Sequence, residues 1–403
     1  MDHRVVTGIE SALGWDGPSH LGKQFARGSL ADLGLVGRIL TPARLLDLIM
    51  RRSLANPQVR CFRKGTELHP DTYLSQDVTS RGQSIRMVNM RRLRSHLREG
   101  VTLILDRAHV FDPTLEVVYR AIQWWSGERV SINLYLTTNA DEGFGLHWDD
   151  HNVLAIQLSG EKEWEVRGAS RAAPMFRDAA RNDEPSDDVI WSGTTRAGDV
   201  IHIPRGYWHK ASRSGRDSGH SLHMTLGFTN PTGVGWLSWM ADWSREFELF
   251  RHDLDPSADP DQQQTQHRKL TDTAVQLLGS RSPADFLAAR HKDAVPARHV
   301  PFVEPLGPLE SVVCVTEFPP RINEQGANVE VVAAGRKLTL AAKALPALRL
   351  LLSGQPVNLD EAVGMVGDVV KQVAEILTEE EMCASLTPEL SSGYTGLVTS
   401  PVR

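Results

Sequence analysis

Two histidines and one aspartate are the residues whose types and spacing best suit chemistry. His147-Trp148-Asp149 places an imidazole and a carboxylate two positions apart, and His209 follows about sixty positions later. In an extended segment, residues two positions apart point the same way, so His147 and Asp149 can face one ion. Two histidines and a carboxylate on one face of Fe(II) leave three coordination positions for a co-substrate and O2. The pattern therefore predicts an iron-dependent oxygenase.

The H-x-D motif is common by chance, so its context must decide. It occurs three times, at His69-Pro70-Asp71, His147-Trp148-Asp149 and His291-Lys292-Asp293. Only the middle copy follows a polar-faced strand and a glycine-containing turn, Glu142 to Gly145, and has a histidine beside a predicted strand turn downstream. This context favours the middle copy as the metal site.

Other interpretations of these histidines stay open. His147 and His209 could be surface histidines beside an acidic loop that includes Asp150. Alternative ligands are His151, which shares the predicted strand face of the middle motif, and also His202 and His223.

A lysine on an apolar strand face is a second, independent indication. In Glu161 to Val166 the glutamates occupy one face of a predicted strand, while Lys162 shares the other face with tryptophan and valine. Burying an unpaired ammonium is costly, so this lysine requires an anionic partner. The distal carboxylate of a 2-oxo acid is such a partner, and Tyr135, Thr225 and Asn133 could complete its pocket. The alternative is a lysine that extends its amine from the strand edge into solvent.

Short strands of alternating polarity surround these residues. From Val130 onward the apolar pattern has a period of two, interrupted by turn signals. The predicted strands include Ser131 to Thr137, Glu161 to Val166, Gly198 to Pro204 and Ser221 to Phe228. Such strands predict a barrel or jelly roll, whose closure can bring His209 beside His147.

Helical patterns flank the predicted barrel. Before it, Thr41-Pro42 and Asp112-Pro113 predict helix starts, and Val101 to Leu105 predicts a buried strand. After it, the polar segment Asp253 to Gln266 predicts a loop, and Ser282-Pro283 predicts another helix start. Between the barrel and that loop an aromatic stripe recurs at helical spacing, at Trp236, Trp239, Met240, Trp243, Phe247 and Phe250.

Composition narrows the class of protein. The 403 residues suffice for two or three domains, and the net charge of -6 argues against a generally basic, nucleic-acid-coating protein, although such a sum can hide a local basic patch. Three widely separated cysteines predict no disulfide framework and suit a reducing cytoplasm. No run of about 18 apolar residues indicates a membrane span. Residues 301–403 contain 7 Lys and Arg against 13 Asp and Glu, so no direct DNA binding by them is expected.

Four segments resemble a known family. Asn133 to Tyr135, His147 to Asp150, Gln157 to Trp164 and Gly198 to His209 resemble the JmjC-domain ribosomal oxygenases, which are Fe(II)- and 2-oxoglutarate-dependent protein hydroxylases. The resemblance implies an α+β fold with a double-stranded β-helix, the jelly-roll or cupin barrel of JmjC proteins. It implies three parts: an oxygenase domain at 1–232, with N-terminal bracing elements and a barrel core at about 129–230, a helical dimerisation region at 233–300, and a winged-helix-like domain at 301–403.

The resemblance also implies roles for single residues. His147, Asp149 and His209 correspond to the iron ligands, and Lys162 with Tyr135 to the residues that hold the distal carboxylate of 2-oxoglutarate. Asn133 and Thr225 correspond to residues lining that pocket. The implied partners are a ribosomal protein as substrate and a second subunit in a homodimer.

The lysine at position 162 bears on the substrate. Together with Asn133-x-Tyr135, it is similar to the members that hydroxylate histidine, whereas the bacterial arginine-hydroxylating members have an arginine there. Trp148 is bulky for its position, and Ser212 to Gly219 form an unusual Ser/Gly/Arg loop, so the target side chain is left open.

Three other functions remain possible on this sequence. One is hydroxylation of a biosynthetic natural-product peptide by the same site. Another is a small-molecule cupin metalloenzyme that does not use 2-oxoglutarate, which more naturally has three or four histidine ligands and no need of Lys162. The third is a catalytically silent JmjC-like binding protein, for which a broken ligand triad is expected.

Overall fold

An antiparallel sheet of eleven strands organises the part of the chain that the structure, a computed structural model, describes. The described residues are 3–138, 142–176, 183–213, 219–295, 298–299 and 307–398. The N-terminal helices are α1 (Arg4–Leu13), α2 (Gly34–Ile39), α3 (Pro42–Arg51), α4 (Met90–Arg98) and α5 (Pro113–Ser126). The strands among them are β1 (Ala26–Ser29), β2 (Val59–Arg63), β3 (Thr66–Glu67), β4 (Leu74–Val78), β5 (Ser84–Val88) and β6 (Thr102–Leu105).

The barrel strands follow directly. They are β7 (Arg129–Thr137), β8 (Glu142–His147), β9 (Asn152–Ala169), β10 (Val189–Arg196), β11 (Asp199–Ile203), β12 (Tyr207–Ser212) and β13 (Ser221–Thr229). The first half of β9 pairs with β11 and β13, while its second half pairs with β10 and β12. Strand β9 therefore runs from one wall of the barrel into the other, and the space between the walls can hold a site.

A glycine lets β9 change walls. Gly160 has φ +68°, and a Cβ at this position would lie 1.7 Å from the carbonyl oxygen of His220. Only glycine fits this combination of left-handed backbone and close approach. The bend places Lys162, two residues later, in the wall opposite β7.

Alternating burial along the barrel strands confirms the predicted period of two. On β7, Ile132, Leu134 and Leu136 are buried in the main core. On β9, Lys162 is buried between exposed glutamates. The predicted antiparallel barrel sheet with flanking helices is therefore present.

The predicted turn from Glu142 to Gly145 is wrong. This segment belongs to β8, which pairs with β12. Phe144 packs against Phe62 of β2 with ring centroids 4.6 Å apart. Pairing and this aromatic contact outweigh the turn propensity of the glycines.

The helices after the barrel differ from two expectations. They are α6 (Gly233–Ser244), α7 (Glu248–Arg251), α8 (Pro260–Ser280) and α9 (Pro283–Lys292). The predicted loop is wrong beyond Asp259, because the Asp259 carboxylate accepts hydrogen bonds from the amides of Asp261 and Gln262 and starts α8. The aromatic stripe is divided, since α6 ends at Ser244.

The C-terminal segment has a hydrophobic core of its own. Its strands are β14 (Ser311–Cys314), β15 (Arg321–Gln325), β16 (Asn328–Ala333), β17 (Arg336–Ala341), β18 (Val357–Asn358) and β19 (Cys383–Ser385). Its helices are α10 (Leu345–Leu351), α11 (Leu359–Val366), α12 (Val369–Glu379) and α13 (Pro388–Tyr394). Within the described ranges, no helix is long and apolar enough to cross a membrane.

Helix α5 connects the barrel to this C-terminal segment. Gln123 accepts a hydrogen bond from the amide of Val130, at the start of β7, and donates to Glu317. Arg120, which is buried, donates to Glu116 and to the hydroxyl of Tyr394. The bonds to Glu317 and Tyr394 tie α5 to the C-terminal segment, and Glu116 pairs with the buried charge of Arg120 within the helix.

Candidate metal and 2-oxo acid site

The two predicted histidines face each other across one strand pair. His147 ends β8 and lies directly opposite His209 on β12. Their ring centroids are 4.4 Å apart. Nδ1 of His147 is 2.8 Å from the carbonyl oxygen of Gly145, and Nδ1 of His209 is 3.2 Å from that of Tyr207. These bonds fix each ring and leave both Nε2 atoms available as ligands.

Asp149 completes the cluster from the loop after β8. The amide of Gly206 donates to the Asp149 carbonyl oxygen at 3.0 Å, which holds this loop against the start of β12. A carboxylate oxygen of Asp149 lies 3.5 Å from Nε2 of His209. One ligand atom from each of the three residues lies within 4.8 Å of the others. Ligand bonds of about 2.1 Å place neighbouring ligand atoms about 3 Å apart, so small side-chain shifts would let the three residues bind one ion.

Burial prepares His209 for ligation. Desolvation, followed by the nearby His147, lowers the pKa of His209 to about 4, against the opposing effect of the Asp149 carboxylate. The imidazole is therefore neutral near pH 7, which is the form that binds a metal. The mixed nitrogen and oxygen donor set fits Fe(II).

Lys162 lies in the same cavity and is 2% exposed. Its Nζ donates to Oγ1 of Thr137 at 3.3 Å, and this hydroxyl is 3.0 Å from Oγ1 of Thr102. The amine therefore points across the barrel from β9 to the end of β7, away from bulk solvent. The alternative interpretation, in which the lysine extends its amine from the strand edge into solvent, is therefore wrong.

Tyr135, Asn133 and Thr225 line the cavity from β7 and β13. Thr225 lies opposite Asn133, and His223 lies opposite Tyr135. Oδ1 of Asn133 accepts a hydrogen bond from the amide of Arg107 at 3.0 Å, which fixes the orientation of its side-chain amide. Burial, together with the carboxylates of Asp106 and Asp149, raises the pKa of the Tyr135 hydroxyl, so this group remains a hydrogen-bond donor.

The cavity has a volume of about 250 Å³. This is a suitable scale for a small dicarboxylate with room beside it for part of a second molecule. His151 lines the cavity as well, although it lies after the end of β8 and not on a strand. His202 lies elsewhere, where its Nε2 accepts from the amide of Gly22.

Two further residues belong to the cavity wall: His223, which the sequence suggested only as an alternative metal ligand, and Arg60, which the sequence did not indicate. His223 stacks on Tyr135 with ring centroids 4.7 Å apart, and burial with the Lys162 charge lowers its pKa, so the ring is neutral. Arg60 reaches the cavity from β2 and pairs with Asp106 at 2.6 Å. The alternation of β2 could have suggested a two-faced strand, but its pairing with β6 brings together distant parts of the chain.

An aromatic pair lies beside the metal cluster. Trp148 contacts Phe176 with ring centroids 4.8 Å apart, and a carboxylate oxygen of Asp150 accepts from the amide of Phe176. Of the predicted Ser/Gly/Arg loop, positions 214–218 lie outside the described residues.

Known proteins match the chain in sequence over the barrel region. The JmjC domain family matches residues 109–234. The bifunctional lysine-specific demethylase and histidyl-hydroxylase NO66 of Caenorhabditis elegans is 27% identical over 208 residues, which are 50% of this chain and 25% of that protein. Ribosomal oxygenase 1 of Gallus gallus is 29% identical over 170 residues, 40% of this chain and 28% of that protein. The chain thus spans about a quarter of the length of these curated relatives.

Solved structures of Escherichia coli YcfD share the fold. One YcfD structure aligns with a TM-score of 0.56 at 16% identity and covers 95% of this chain and 99% of that one. The structure of YcfD, a ribosomal oxygenase, in complex with cobalt and 2-oxoglutarate aligns with a TM-score of 0.51 at 18% identity. This alignment covers 91% of the present chain and 95% of the YcfD chain. Residues 109–234 of this chain therefore match the JmjC domain, and the proteins similar to the chain include ribosomal oxygenases.

Proposed function

We propose that this protein is an Fe(II)- and 2-oxoglutarate-dependent dioxygenase that hydroxylates a side chain of a protein or peptide. The observation that carries the proposal is the pairing of two features in one cavity, the His/Asp/His cluster and the buried Lys162 amine. A metal cluster alone serves many reactions. A cluster with a buried cation beside it suits a metal-chelating 2-oxo acid that carries a second carboxylate.

Each side chain has a defined task in this proposal. His147, Asp149 and His209 bind the iron, and Lys162 with Tyr135 binds the distal carboxylate of 2-oxoglutarate. Asn133 and Thr225 line the pocket and exclude water. When bound, the iron and 2-oxoglutarate supply oxidation by O2, in which 2-oxoglutarate becomes succinate and CO2 and a C–H bond of the target becomes C–OH. No side chain needs to act as a nucleophile.

The proposed target is a histidine side chain of a ribosomal protein, hydroxylated at the β-carbon, with arginine as the second candidate. The names of the relatives that match the barrel region, histidyl-hydroxylase and ribosomal oxygenase, support this choice. Lys162 supports histidine over arginine through the resemblance described above. A natural-product peptide carrying the same side chain is the alternative substrate.

Mass spectrometry of ribosomal proteins tests the target. Proteins from cells lacking the enzyme are incubated with the purified chain, Fe(II), 2-oxoglutarate and O2. The expected product is one histidine-containing peptide heavier by one oxygen atom, with succinate formed in equal amount. Loss of a methyl group instead of gain of oxygen would contradict hydroxylation.

The other functions fit the cavity less well. A small-molecule cupin enzyme without 2-oxoglutarate has no use for Lys162, whose amine is 3.3 Å from Thr137 inside the barrel. A silent binding protein has no reason to keep three ligand atoms within 4.8 Å of one another.

We expect residues 233–300 to form a homodimer contact. Eight large apolar side chains in the described part of this region are exposed: Val234, Leu237, Phe247, Leu254, Val275, Leu278, Leu287 and Val295. So many exposed apolar groups in one region indicate a surface that another molecule covers. The family resemblance implies that this molecule is a second copy of the chain.

Sedimentation tests the dimer. At micromolar concentration the chain of 44.7 kDa should sediment at twice that mass. The double substitution Leu237→Glu with Val275→Glu should give monomers, whereas Val78→Glu, at an exposed position of β4, should not. A monomer of the unsubstituted protein at that concentration would contradict the prediction.

The C-terminal segment 301–403 is proposed to be a winged-helix-like domain for protein contact or support. Its excess of six negative charges, 13 against 7, opposes binding to DNA phosphates. Its two cysteines and Cys61 are free and buried, which suits the reducing cytoplasm.

A further inference from the structure

A strongly basic segment lies within this acidic chain. Residues 51–100 contain ten arginines and one lysine against four Asp and Glu, a difference of +7, whereas the whole chain has a net charge of -6. Of the residues in this segment, only Arg60 lines the cavity of the proposed catalytic site.

Three of these arginines form a row on α4. Arg91, Arg94 and Arg98 recur at helical spacing, and all three are exposed. The row spans about 10 Å at 1.5 Å per residue. The opposite side of the helix carries Leu93, which is buried, and Leu97, which packs against the core.

The arginines of this row differ from Arg92 in their contacts. None of the three forms an ion pair with a carboxylate of the residues the structure describes. Arg92, in contrast, points to the hairpin of β4 and β5 and donates to the carbonyl oxygens of Asp71 and Leu74. An unneutralised row of like charges is electrostatically unfavourable unless an anion covers it.

The row continues to the strand that carries His147. An ion pair between Arg63 and Glu99 joins the end of β2 to the residue after α4. The turn that follows β2 contains the exposed Lys64, and a Cβ on Gly65 would lie 3.8 Å from the amide of Gly145 on β8. The surface formed by Lys64, Arg91, Arg94 and Arg98, called here the arginine surface, therefore begins close to β8, the strand that ends at His147.

We propose that the arginine surface binds the phosphate backbone of a folded RNA. Guanidinium groups bind phosphate oxygens through two parallel hydrogen bonds, which explains the choice of arginine over lysine. The choice of RNA rests on the proposed function, because a ribosomal protein target is presented on ribosomal RNA. The enzyme then holds the RNA at α4 while the target side chain enters the adjacent cavity.

An acidic protein partner fits the surface less well. Protein interfaces place an apolar centre inside a polar rim. Helix α4 exposes no large apolar side chain over its described length, Met90–Arg98. The apolar side chains beside Arg94 and Arg98, those of Leu46, Met90 and Leu97, are only partly accessible, so the exposed groups of the arginine surface are charged, as in phosphate-binding surfaces.

Fluorescence anisotropy with a labelled RNA hairpin tests the proposal on the full chain. Affinity should fall linearly with salt on logarithmic axes, since each arginine contact releases counterions. The triple substitution R91E/R94E/R98E should weaken binding at least tenfold and reduce the salt slope by about two to three. Its thermal midpoint and its target-independent conversion of 2-oxoglutarate should stay unchanged.

The matched control reverses three other exposed arginines. R251E/R268E/R349E changes the net charge equally on α7, α8 and α10 and should retain RNA affinity. Equal weakening by both triple variants would overturn the proposal, because only net charge would then matter. Tighter binding of a DNA duplex of the same sequence, or displacement of RNA by an acidic peptide at equal charge, would also overturn it.

The experiment separates this proposal from the proposed function. His147→Ala should lose succinate formation and keep RNA affinity. If the unsubstituted protein forms no succinate and still binds RNA through the arginine surface, the proposed function is refuted and the proposed RNA binding is supported. If succinate forms and RNA does not bind, the proposed RNA binding is refuted and the proposed function is supported.

Discussion

Replacement of His147 or of Asp149 by alanine should abolish iron-dependent conversion of 2-oxoglutarate to succinate. Each substitution removes one of three ligand atoms that lie within 4.8 Å of one another. Removal of groups that merely orient metal ligands costs about 10- to 100-fold in affinity or activity, so loss of a ligand should exceed that. The measurement is succinate formed by the purified full chain with Fe(II), 2-oxoglutarate and O2, together with the bound iron.

His151→Ala is the matched control for this prediction. His151 lines the same cavity and lies close to Asp149 in sequence, but it is not part of the three-residue cluster. Its loss should leave iron binding and most of the succinate formation in place. Full turnover by both ligand variants would refute the ligand assignment. Loss of iron in His151→Ala would show that His151 is itself a ligand.

Lys162→Ala should raise the 2-oxoglutarate concentration needed for half-maximal turnover by roughly 10- to 100-fold. Hydrogen bonds to charged groups contribute about 1.5–3 kcal/mol, and each 1.4 kcal/mol is a factor of ten. The lysine is 2% exposed, so its bond to the distal carboxylate would form away from bulk water. Initial rates at varied 2-oxoglutarate, with iron held saturating, measure the change.

Two further variants make the Lys162 result specific. Lys162→Met keeps the length of the side chain and removes the charge, so it should resemble the alanine variant. Lys162→Arg keeps the cation and should recover part of the affinity. An unchanged 2-oxoglutarate requirement in the methionine variant, with iron still bound, would remove the carboxylate-binding role of Lys162.

The barrel strands could be predicted because apolar and polar residues alternate within each strand. Alternation on β7 and β9 identifies one buried face and one face toward the cavity, and it places Asn133, Tyr135 and Lys162 correctly on the cavity face. The convergence of His147 and His209 followed from closure of the barrel. Both inferences rely on the two-residue period of a strand, which is local and strong.

Features that depend on pairing between distant segments were harder to predict. Two glycines made the Glu142 to Gly145 segment resemble a turn, but β12 and Phe62 hold it as a strand. Arg60 enters the cavity because β2 pairs with β6, which no local pattern indicates. The arginine row on α4 was hidden in the total charge, since acidic residues elsewhere outweigh it.

A crystal structure with Mn(II) in place of Fe(II), and with 2-oxoglutarate, tests the central claim most directly. We expect one metal ion bound by Nε2 of His147, Nε2 of His209 and the carboxylate of Asp149, with the distal carboxylate of 2-oxoglutarate on Nζ of Lys162. A metal ion held by other residues, or a distal carboxylate that does not contact Lys162, would contradict it.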